Sequence, residues 1–454
     1  MERLRPDDHF LILLEGDETP MHIGSLLVLD VPTEYRTDAA DRLRSHLIDR
    51  LPNTPLLREL RRSPLGFDSD VWVRPEHVDL DRHIVIHRTE SPMTRRDLSS
   101  FVEQHVMTRL AMERPPFKID ILDGVEPNGI AMYVRIHHCV ADGVGFQTIL
   151  GLLSDDSPAG DANVSIPDDA GGTPTRHEWL QGALDRFRAE RAGQADHRAA
   201  RRSAIDALRD PAFQRAETPT ISLSGPTSTR RSYTTVTIPF DQLRQTARSL
   251  DATLNDLFLA IAGTTMRNYL IEIDDLPDTP LTTNSARSYR RAEHGAFGNR
   301  IVAIHPHLAT HIADPLERLR AIQASMPIER RRTGYDEAML NQPESPFGPA
   351  VRRRRFAERR ESGASVLPGN VTVSNVPGPK HARSYAGFTQ LSNHPTPLLG
   401  SGRALNFTAR RNANSFDVGV MVDADKIGDV DHIAGLFQWG YTEYALLAER
   451  EPTE

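Results

Sequence analysis

The heptapeptide HHCVADG, His137 to Gly143, lies between a run of residues typical of a buried strand and a run typical of a helix. Residues 130–136 are almost entirely apolar, and residues 144–153 place their apolar side chains at helical spacing. Turns that join such elements often carry functional side chains, because the scaffold fixes both of their ends. The heptapeptide is therefore the first candidate for a catalytic site in this chain.

Its residue types suggest one base and several supporting groups. Neighbouring side chains on an extended backbone point to opposite faces, so His137 and His138 cannot both face the same pocket. Asp142, just before the predicted helix, can cap backbone N–H groups or pair with an arginine, which gives it a structural role. Gly143 permits a positive φ angle or a close approach of another backbone at the bend. We expect a single catalytic histidine.

The residue types of the heptapeptide are also compatible with other roles. Most of the 18 histidines in the sequence are ordinary surface or core residues on general grounds. A zinc site from His137, His138, Cys139 and Asp142 is disfavoured, because adjacent strand residues diverge and no CxxC or HExxH pattern is present. Nucleophilic Cys139 would need a positioned base, and a small buried filler is the commoner role of a free cysteine. The sequence thus predicts no metal site.

Composition limits the class of protein. A chain of 454 residues favours two domains of comparable size, and its net charge of −8 disfavours a general nucleic-acid binder. The single cysteine cannot form an internal disulfide, which agrees with a reducing compartment. No apolar stretch is long enough to cross a bilayer, and no apolar segment follows the charged N-terminus. We expect a cytoplasmic protein that binds no nucleic acid.

Predicted strands and helices alternate in both halves, which indicates an α/β fold. Residues 154–175 are rich in Asp, Gly, Pro and Ser and indicate a loop, and a charged helix is predicted at residues 176–208. The second half starts with an alternating strand at residues 232–238. We expect an N-terminal domain at 1–160, a linker with the charged helix at 161–230, and a C-terminal domain at 231–454.

The motifs resemble those of a known family. HHCVADG resembles the HHxxxDG motif of the acyltransferase superfamily built on the chloramphenicol acetyltransferase fold, which includes peptide-synthetase condensation domains. Three further segments resemble the wax ester synthase/diacylglycerol acyltransferase family: Asn255-Asp256 in LNDLFLA, Phe297-Gly298-Asn299-Arg300, and SNVPGP from Ser374 to Pro379. The N-terminal Pro6-Asp7 and the segment Met21 to Gly24 are also similar, so the likeness spans essentially the whole chain.

One segment departs from the family pattern. The family commonly has a Pro-Leu-Trp element shortly before the histidine motif, whereas this chain has Arg114-Pro115-Pro116-Phe117-Lys118. The leucine and the tryptophan are both absent, which bears on the choice of acceptor.

The resemblance implies two chloramphenicol acetyltransferase-like domains, each a mixed sheet flanked by helices, with an active-site tunnel at their interface. It implies an O-acyltransferase that moves a long-chain acyl group from acyl-CoA to diacylglycerol or a fatty alcohol, with no cofactor beyond this co-substrate. His138 would be the general base, with His137, Asp142 and Gly143 completing the motif. Apolar substrates also imply contact with a membrane surface or a lipid droplet.

Roles for four further residues follow from the same resemblance. Asn255 would donate to the oxyanion, although asparagine before an apolar helix is equally typical of an N-cap. Ser374 and Asn375 would line the tunnel, unless the following Pro-Gly-Pro marks only a turn. Arg287 would pair with Asp142, a solvated arginine being the alternative.

Two other functions share these motifs. One is acyl transfer from a carrier-protein thioester, and the other is a non-catalytic lipid-binding member, which the altered segment at Pro115 to Lys118 would explain. The arginine clusters Arg330 to Arg332 and Arg352 to Arg355 either contact CoA phosphates or anionic lipid headgroups, or form a solvated face.

Overall fold

The computed structural model describes residues 2–64, 68–127, 129–156, 173–213, 217–340, 348–361 and 368–450 of the 454-residue chain. Its strands are β1 (Glu2–Arg3), β2 (His22–Asp30), β3 (Glu59–Arg61), β4 (Val71–Val73), β5 (Ile84–Met93), β6 (Phe117–Val125), β7 (Gly129–His137), β8 (Arg231–Pro239), β9 (Thr283–Ser288), β10 (Ile301–Ile304), β11 (Val371–Val376), β12 (Ser384–Tyr385), β13 (Phe388–Thr396), β14 (Leu405–Asn412) and β15 (Ser415–Asp423).

The helices alternate with these strands along the chain. They are α1 (Pro6–Leu14), α2 (Ala39–Arg50), α3 (Arg95–His105), α4 (Gly143–Leu153), α5 (Arg176–Leu208), α6 (Phe240–Ser249), α7 (Leu254–Glu272), α8 (Pro315–Leu340), α9 (Gly348–Glu361) and α10 (Val430–Arg450). Within the described residues, none of them combines the length and the apolar content that crossing a bilayer requires.

The first half forms a six-stranded mixed sheet in the order β12-β13-β2-β7-β6-β5, in which only the β5–β6 pair is parallel. β7 lies near its centre and is buried on both faces, which explains its nearly continuous apolar sequence. Ile130, Met132, Val134 and Ile136 pack in one core with residues of α2 and α4. This packing fixes the end of β7, from which the histidine motif emerges.

The second half forms a six-stranded mixed sheet in the order β10-β9-β11-β14-β15-β8. β11 lies parallel to both of its neighbours, β9 and β14, and the other pairs are antiparallel. A separate hydrophobic core joins this sheet to α6, α7, α8 and α10. The predicted fold class is therefore confirmed: two six-stranded mixed sheets, each flanked by helices. Strands β1, β4 and β3 form a further, three-stranded antiparallel sheet.

A strand from the second half completes the first sheet. β13 pairs antiparallel with β2, although it follows β11 of the second sheet along the chain. Its polar side chains reach back to the second sheet: Gln390 Nε2 donates to Asn412 Oδ1 at 2.6 Å, and Arg410 Nη1 donates to Asn393 Oδ1 at 3.1 Å. β13 thus ties the two sheets together, an exchange that the sequence did not indicate.

The domain boundaries remain a prediction. β8 begins at Arg231, where the C-terminal domain was expected to start, and the predicted charged helix coincides with α5. However, β12 and β13 lie in the first sheet, so the spatial units and the predicted sequence ranges differ there. Most of the predicted loop at 154–175 falls on residues 157–172, which lie outside the described residues.

Candidate active site

The histidine motif forms a tight turn between β7 and α4. His137 is the last residue of β7 and pairs with His22 of β2. Asp142 is the N-cap of α4, and its Oδ1 accepts a hydrogen bond from the Gly145 N–H at 2.8 Å. The capping carboxylate satisfies a backbone donor that the helix cannot pair internally, and so ends the turn at a defined position.

The two histidines occupy different environments. His137 is fully buried, its Nδ1 accepts from the Cys139 N–H at 3.1 Å, and burial lowers its pKa to about 3. His138 is only half-buried. Burial lowers the pKa of His138 as well, while its own backbone and the Asp142 carboxylate act in the opposite direction. Both imidazoles are therefore neutral at pH 7, and of the two only His138 is open enough to meet a substrate.

Both halves of the molecule fix the backbone of His138. Its N–H donates to the Met21 carbonyl at 2.7 Å, and its carbonyl accepts from Asn299 Nδ2 at 2.7 Å. Asn299 Nδ2 also donates to Asp8 Oδ1 at 2.8 Å, and the Asn299 backbone N–H donates to the same atom at 2.9 Å. Burial raises the pKa of Asp8 to about 6. The imidazole is thus presented at the contact between the two halves.

Neither Asn299 nor Asp8 has a role that could be predicted from the sequence. Asn299 lies in the FGNR segment, and Asp8 follows the Pro6-Asp7 pair, so the family resemblance marked both regions without giving a function. Only the motifs could have pointed to these two residues. They are separated by 291 positions in the sequence, so their hydrogen bond becomes visible only in the folded chain.

Asp142 pairs with Arg290, not with the predicted Arg287. Arg290 Nη2 lies 2.8 Å from Asp142 Oδ2, and the Arg300 backbone N–H donates to the same oxygen at 3.0 Å. Arg290 also donates to the carbonyls of Gly295 and Phe297. The assignment of Arg287 as the structural partner was wrong.

The register of β9 explains this difference. Arg287 lies within β9, opposite Val302 of β10, and its exposed guanidinium donates to Thr333 Oγ1 of α8 at 2.6 Å. Arg290 lies two residues beyond the end of β9, where the chain turns towards the motif. A pattern that marks an arginine after a strand cannot distinguish these positions, since their separation along the chain is only three residues.

A glycine is required at position 143 because the Val376 side chain packs closely against it, and not because of a positive φ angle. A Cβ at this position would lie 2.9 Å from both γ-methyl carbons of Val376, the last residue of β11. The structure thereby brings the end of β11, with partly buried Ser374 and Asn375, to the start of α4. Their contact with substrate stays a prediction.

Asn255 is not an N-cap, so that interpretation was wrong. Thr253 caps α7, accepting from the Asp256 N–H at 3.1 Å while Asp256 Oδ2 accepts from the Thr253 N–H at 3.1 Å. Asn255 is the second residue of the helix and is partly buried. Among the described residues no hydrogen bond joins it to the histidine motif, and its role at the oxyanion stays a prediction.

The segment that departs from the family pattern lies beside the motif. The Pro116 carbonyl accepts from the His137 N–H at 2.9 Å, and the Phe117 ring stacks on His83 with centroids 4.5 Å apart. A cavity of about 370 Å³ opens beside it, lined by Pro115 and Lys118 among others. His138 does not line this cavity, and the tunnel expected at the interface stays a prediction.

The surroundings of Cys139 disfavour nucleophilic catalysis by its thiol. Cys139 is buried, and burial raises the pKa of its thiol well above the usual value, so the nucleophilic thiolate is disfavoured. Within the described residues, no group of three or more His, Cys, Asp or Glu side chains could bind a metal ion. The arrangement suits proton transfer by one neutral imidazole.

Comparison with known proteins points to one family. The sequence model of the wax ester synthase/diacylglycerol acyltransferase catalytic domain matches residues 4–258, and that of the C-terminal domain matches residues 297–444. O-acyltransferase WSD of Acinetobacter baylyi is 26% identical over 446 residues, which cover 93% of this chain and 92% of that protein.

Solved structures share the fold. The wax ester synthase/diacylglycerol acyltransferase from Marinobacter aquaeolei VT8 superimposes with a TM-score of 0.69 at 21% identity, covering 99% of this chain and 100% of that one. The first condensation domain of the calcium-dependent antibiotic synthetase gives a TM-score of 0.61 at 14% identity, covering 100% of this chain and 97% of that one. At these identities, the likeness concerns the fold alone.

Proposed function

Since the chain belongs to the wax ester synthase/diacylglycerol acyltransferase family and is an O-acyltransferase, we propose that His138 is the general base of its reaction. The donor is a long-chain acyl-CoA, and the acceptor is the hydroxyl of diacylglycerol or of a fatty alcohol. One observation supports this proposal above the others: of the two motif histidines, only His138 is open to a substrate, while its backbone is fixed from both halves.

The chemistry requires little beyond positioning and one base. A thioester is already an activated acyl donor, so no covalent enzyme intermediate is needed. The His138 imidazole accepts the hydroxyl proton as the oxygen attacks the thioester carbonyl carbon. The tetrahedral intermediate then expels the CoA sulfur, which takes the proton from the imidazolium, and the products are the ester and free CoA.

The electrostatics of the turn suit both halves of this cycle. A lowered pKa keeps His138 neutral and able to accept a proton at pH 7. The Asp142 carboxylate acts in favour of the imidazolium, which stabilises the charge that forms during the attack. Asp142 is itself fixed by Arg290, so we assign it a positioning role.

The remaining predicted residues complete the proposed site. Asn255 would donate to the developing oxyanion, a contribution of about 3 kcal/mol for a preorganised donor. Ser374 and Asn375 would line the substrate path at the end of β11, which packs against Gly143.

The test compares His138→Ala with a matched surface control, His77→Ala, at an exposed position. Purified protein is mixed with palmitoyl-CoA and either 1,2-dioleoylglycerol or hexadecanol, and free CoA thiol is followed. We expect His138→Ala to lose roughly 10²- to 10⁴-fold in kcat, with the control unchanged. Equal turnover by His138→Ala would refute the proposal.

A parallel reaction with palmitoyl-acyl carrier protein separates the CoA-dependent enzyme from the carrier-dependent alternative. Turnover with the carrier thioester alone would replace acyl-CoA as the donor. Absence of turnover with every donor and acceptor, while the substrates still raise the melting temperature, would indicate a non-catalytic lipid-binding protein.

We also propose that α5 lies on a lipid surface, from which the apolar acceptor is taken. Leu180, Leu184 and Phe187 are 66%, 48% and 39% exposed, and their spacing places them on one face of the helix. The neighbouring Arg188 and Arg191 are exposed as well, and cationic side chains beside an apolar stripe favour anionic phospholipid.

A further inference from the structure

A second cavity, of about 350 Å³, lies between the β9–β10 hairpin and α8. Its lining includes four arginines, Arg287, Arg290, Arg291 and Arg330, and neither aspartate nor glutamate. Buried Val302 and Thr333 contribute to its inner wall, whereas Arg287, Arg291 and Arg330 are exposed. The cavity is thus strongly positive at its rim and has the size of a small-ligand pocket.

Two of these charges are not neutralised by the protein. Arg290 is paired with Asp142, but Arg287 donates to Thr333 Oγ1 and to the Arg330 carbonyl, which are both uncharged acceptors. Within the described part of the chain, neither Arg287 nor Arg330 takes part in an ion pair. Like charges lining one cavity repel each other, so an anion bound between them would be favoured.

We propose that this cavity binds a phosphate group and, resting on the proposed function, that the phosphate belongs to the CoA donor. Guanidinium groups form bidentate, charge-assisted hydrogen bonds with phosphate oxygens, and two arginines across one cavity can share a single phosphate ester. The cavity also lies close to the motif, since Arg290 lines it and donates to Asp142 of the β7–α4 turn.

Of the three arginines in the α8 cluster, Arg330 to Arg332, only Arg330 lines this cavity. The guanidinium of the adjacent Arg331 lies over the Phe213 ring at 5.6 Å, and Arg332 donates to the Phe213 carbonyl. Arg331 is therefore a matched control: it carries the same charge on the same helix, but its guanidinium lies over Phe213 and does not line the cavity.

The test measures binding by calorimetry for the wild type, Arg287→Gln, Arg330→Gln and Arg331→Gln. The probes are CoA, 3′-dephospho-CoA, inorganic phosphate and the water-soluble dihexanoyl phosphatidate. We expect Arg287→Gln and Arg330→Gln each to weaken CoA binding about tenfold, with Arg331→Gln unchanged, because each removes a charge-assisted hydrogen bond. The KM for palmitoyl-CoA should rise in parallel, without a similar rise for the acceptor.

The outcomes separate the sources of the phosphate. An equal loss for CoA and 3′-dephospho-CoA assigns the diphosphate, and a loss confined to CoA assigns the 3′-phosphate. A loss confined to dihexanoyl phosphatidate moves the site to a lipid headgroup and overturns the CoA assignment.

Unchanged affinity for every probe in both cavity variants, with unchanged melting temperatures, overturns the site. These readouts do not depend on turnover. An inactive protein that still binds CoA through Arg330 would refute the proposed reaction and leave the phosphate site standing.

Discussion

At the scale of single residues, the half-buried imidazole of His138 predicts how activity depends on pH. Burial disfavours the imidazolium and lowers the pKa, so the neutral form of the proposed base persists to more acidic pH than a free histidine would allow. We expect kcat/KM to reach its plateau by neutral pH, to have its acid-side inflection below 6.5, and to fall about tenfold per unit below that inflection. Steady-state rates between pH 4.5 and 8 test this, and an inflection above 6.5 would contradict it.

Arg290 and Arg287 provide a second prediction at this scale. Arg290→Gln leaves the carboxylate of Asp142 buried without its charged partner, and we expect unfolding free energy to fall by about 3–5 kcal/mol. Arg287→Gln removes an exposed side chain with uncharged acceptors, and we expect a change of about 0.5 kcal/mol or less. Urea denaturation measures both, and equal losses would mean that the Asp142 pair contributes little.

The environments of individual side chains at the site could be predicted from the sequence only in part. The motif and the alternation of strand side chains correctly predicted that the two histidines differ, because backbone geometry alone requires it. The partner of Asp142 and the cap of α7 were misassigned by three and two positions, respectively. Both depend on where an element ends, which apolar periodicity fixes only loosely.

At the scale of elements, α4 and β11 can pack closely because Gly143 has no side chain. Gly143→Ala would place a methyl group 2.9 Å from the Val376 γ-carbons, and we expect a loss of about 1–3 kcal/mol in unfolding free energy, together with slower turnover. Val376→Ala removes both γ-methyls. The double variant should therefore match Val376→Ala alone in urea denaturation and in kcat. Strictly additive losses would show that the two residues do not interact.

Most elements could be predicted from apolar patterning, and β13 could not. β7, α4, α5 and β8 lie within a residue or two of the predicted ranges. In β7, α4 and β8 a clear apolar face is buried, whereas the apolar stripe of α5 is spaced for a helix but is exposed. β13 has the sequence FTQLSNHPT, in which buried Gln390, Asn393 and His394 replace the expected apolar residues. Their partners are polar groups of the second sheet, so the hydrophobic pattern is absent where the strand is buried between sheets.

At the scale of the whole molecule, residues of both halves fix the turn that carries the histidine motif. Asn299 and Arg290 come from the second half and fix the backbone of His138 and the side chain of Asp142. A mixed apolar cluster, with Tyr133 from the first half and Tyr233 from the second, packs the halves together elsewhere. The geometry of the proposed site therefore depends on the relative position of the two sheets, which no local pattern in the sequence encodes.

The exposed stripe on α5 gives a prediction that tests the proposed contact with a lipid surface. Leu184→Glu places a charge in the centre of the stripe, and we expect flotation with vesicles of phosphatidylcholine and phosphatidylglycerol to weaken about tenfold, since an apolar side chain is no longer buried in lipid. Ile271→Glu is the matched control, because Ile271 is 50% exposed on α7, away from the stripe.

Two further readouts make this test specific. Added salt should weaken flotation of the wild type, because the arginines beside the stripe are attracted to anionic headgroups. Turnover with a water-soluble short-chain acceptor should be the same in Leu184→Glu and the wild type, since the variant changes access to the lipid surface and not the imidazole. Equal flotation of Leu184→Glu and Ile271→Glu would show that another surface meets the lipid, and the acceptor would then have to reach His138 by a route that does not start at α5.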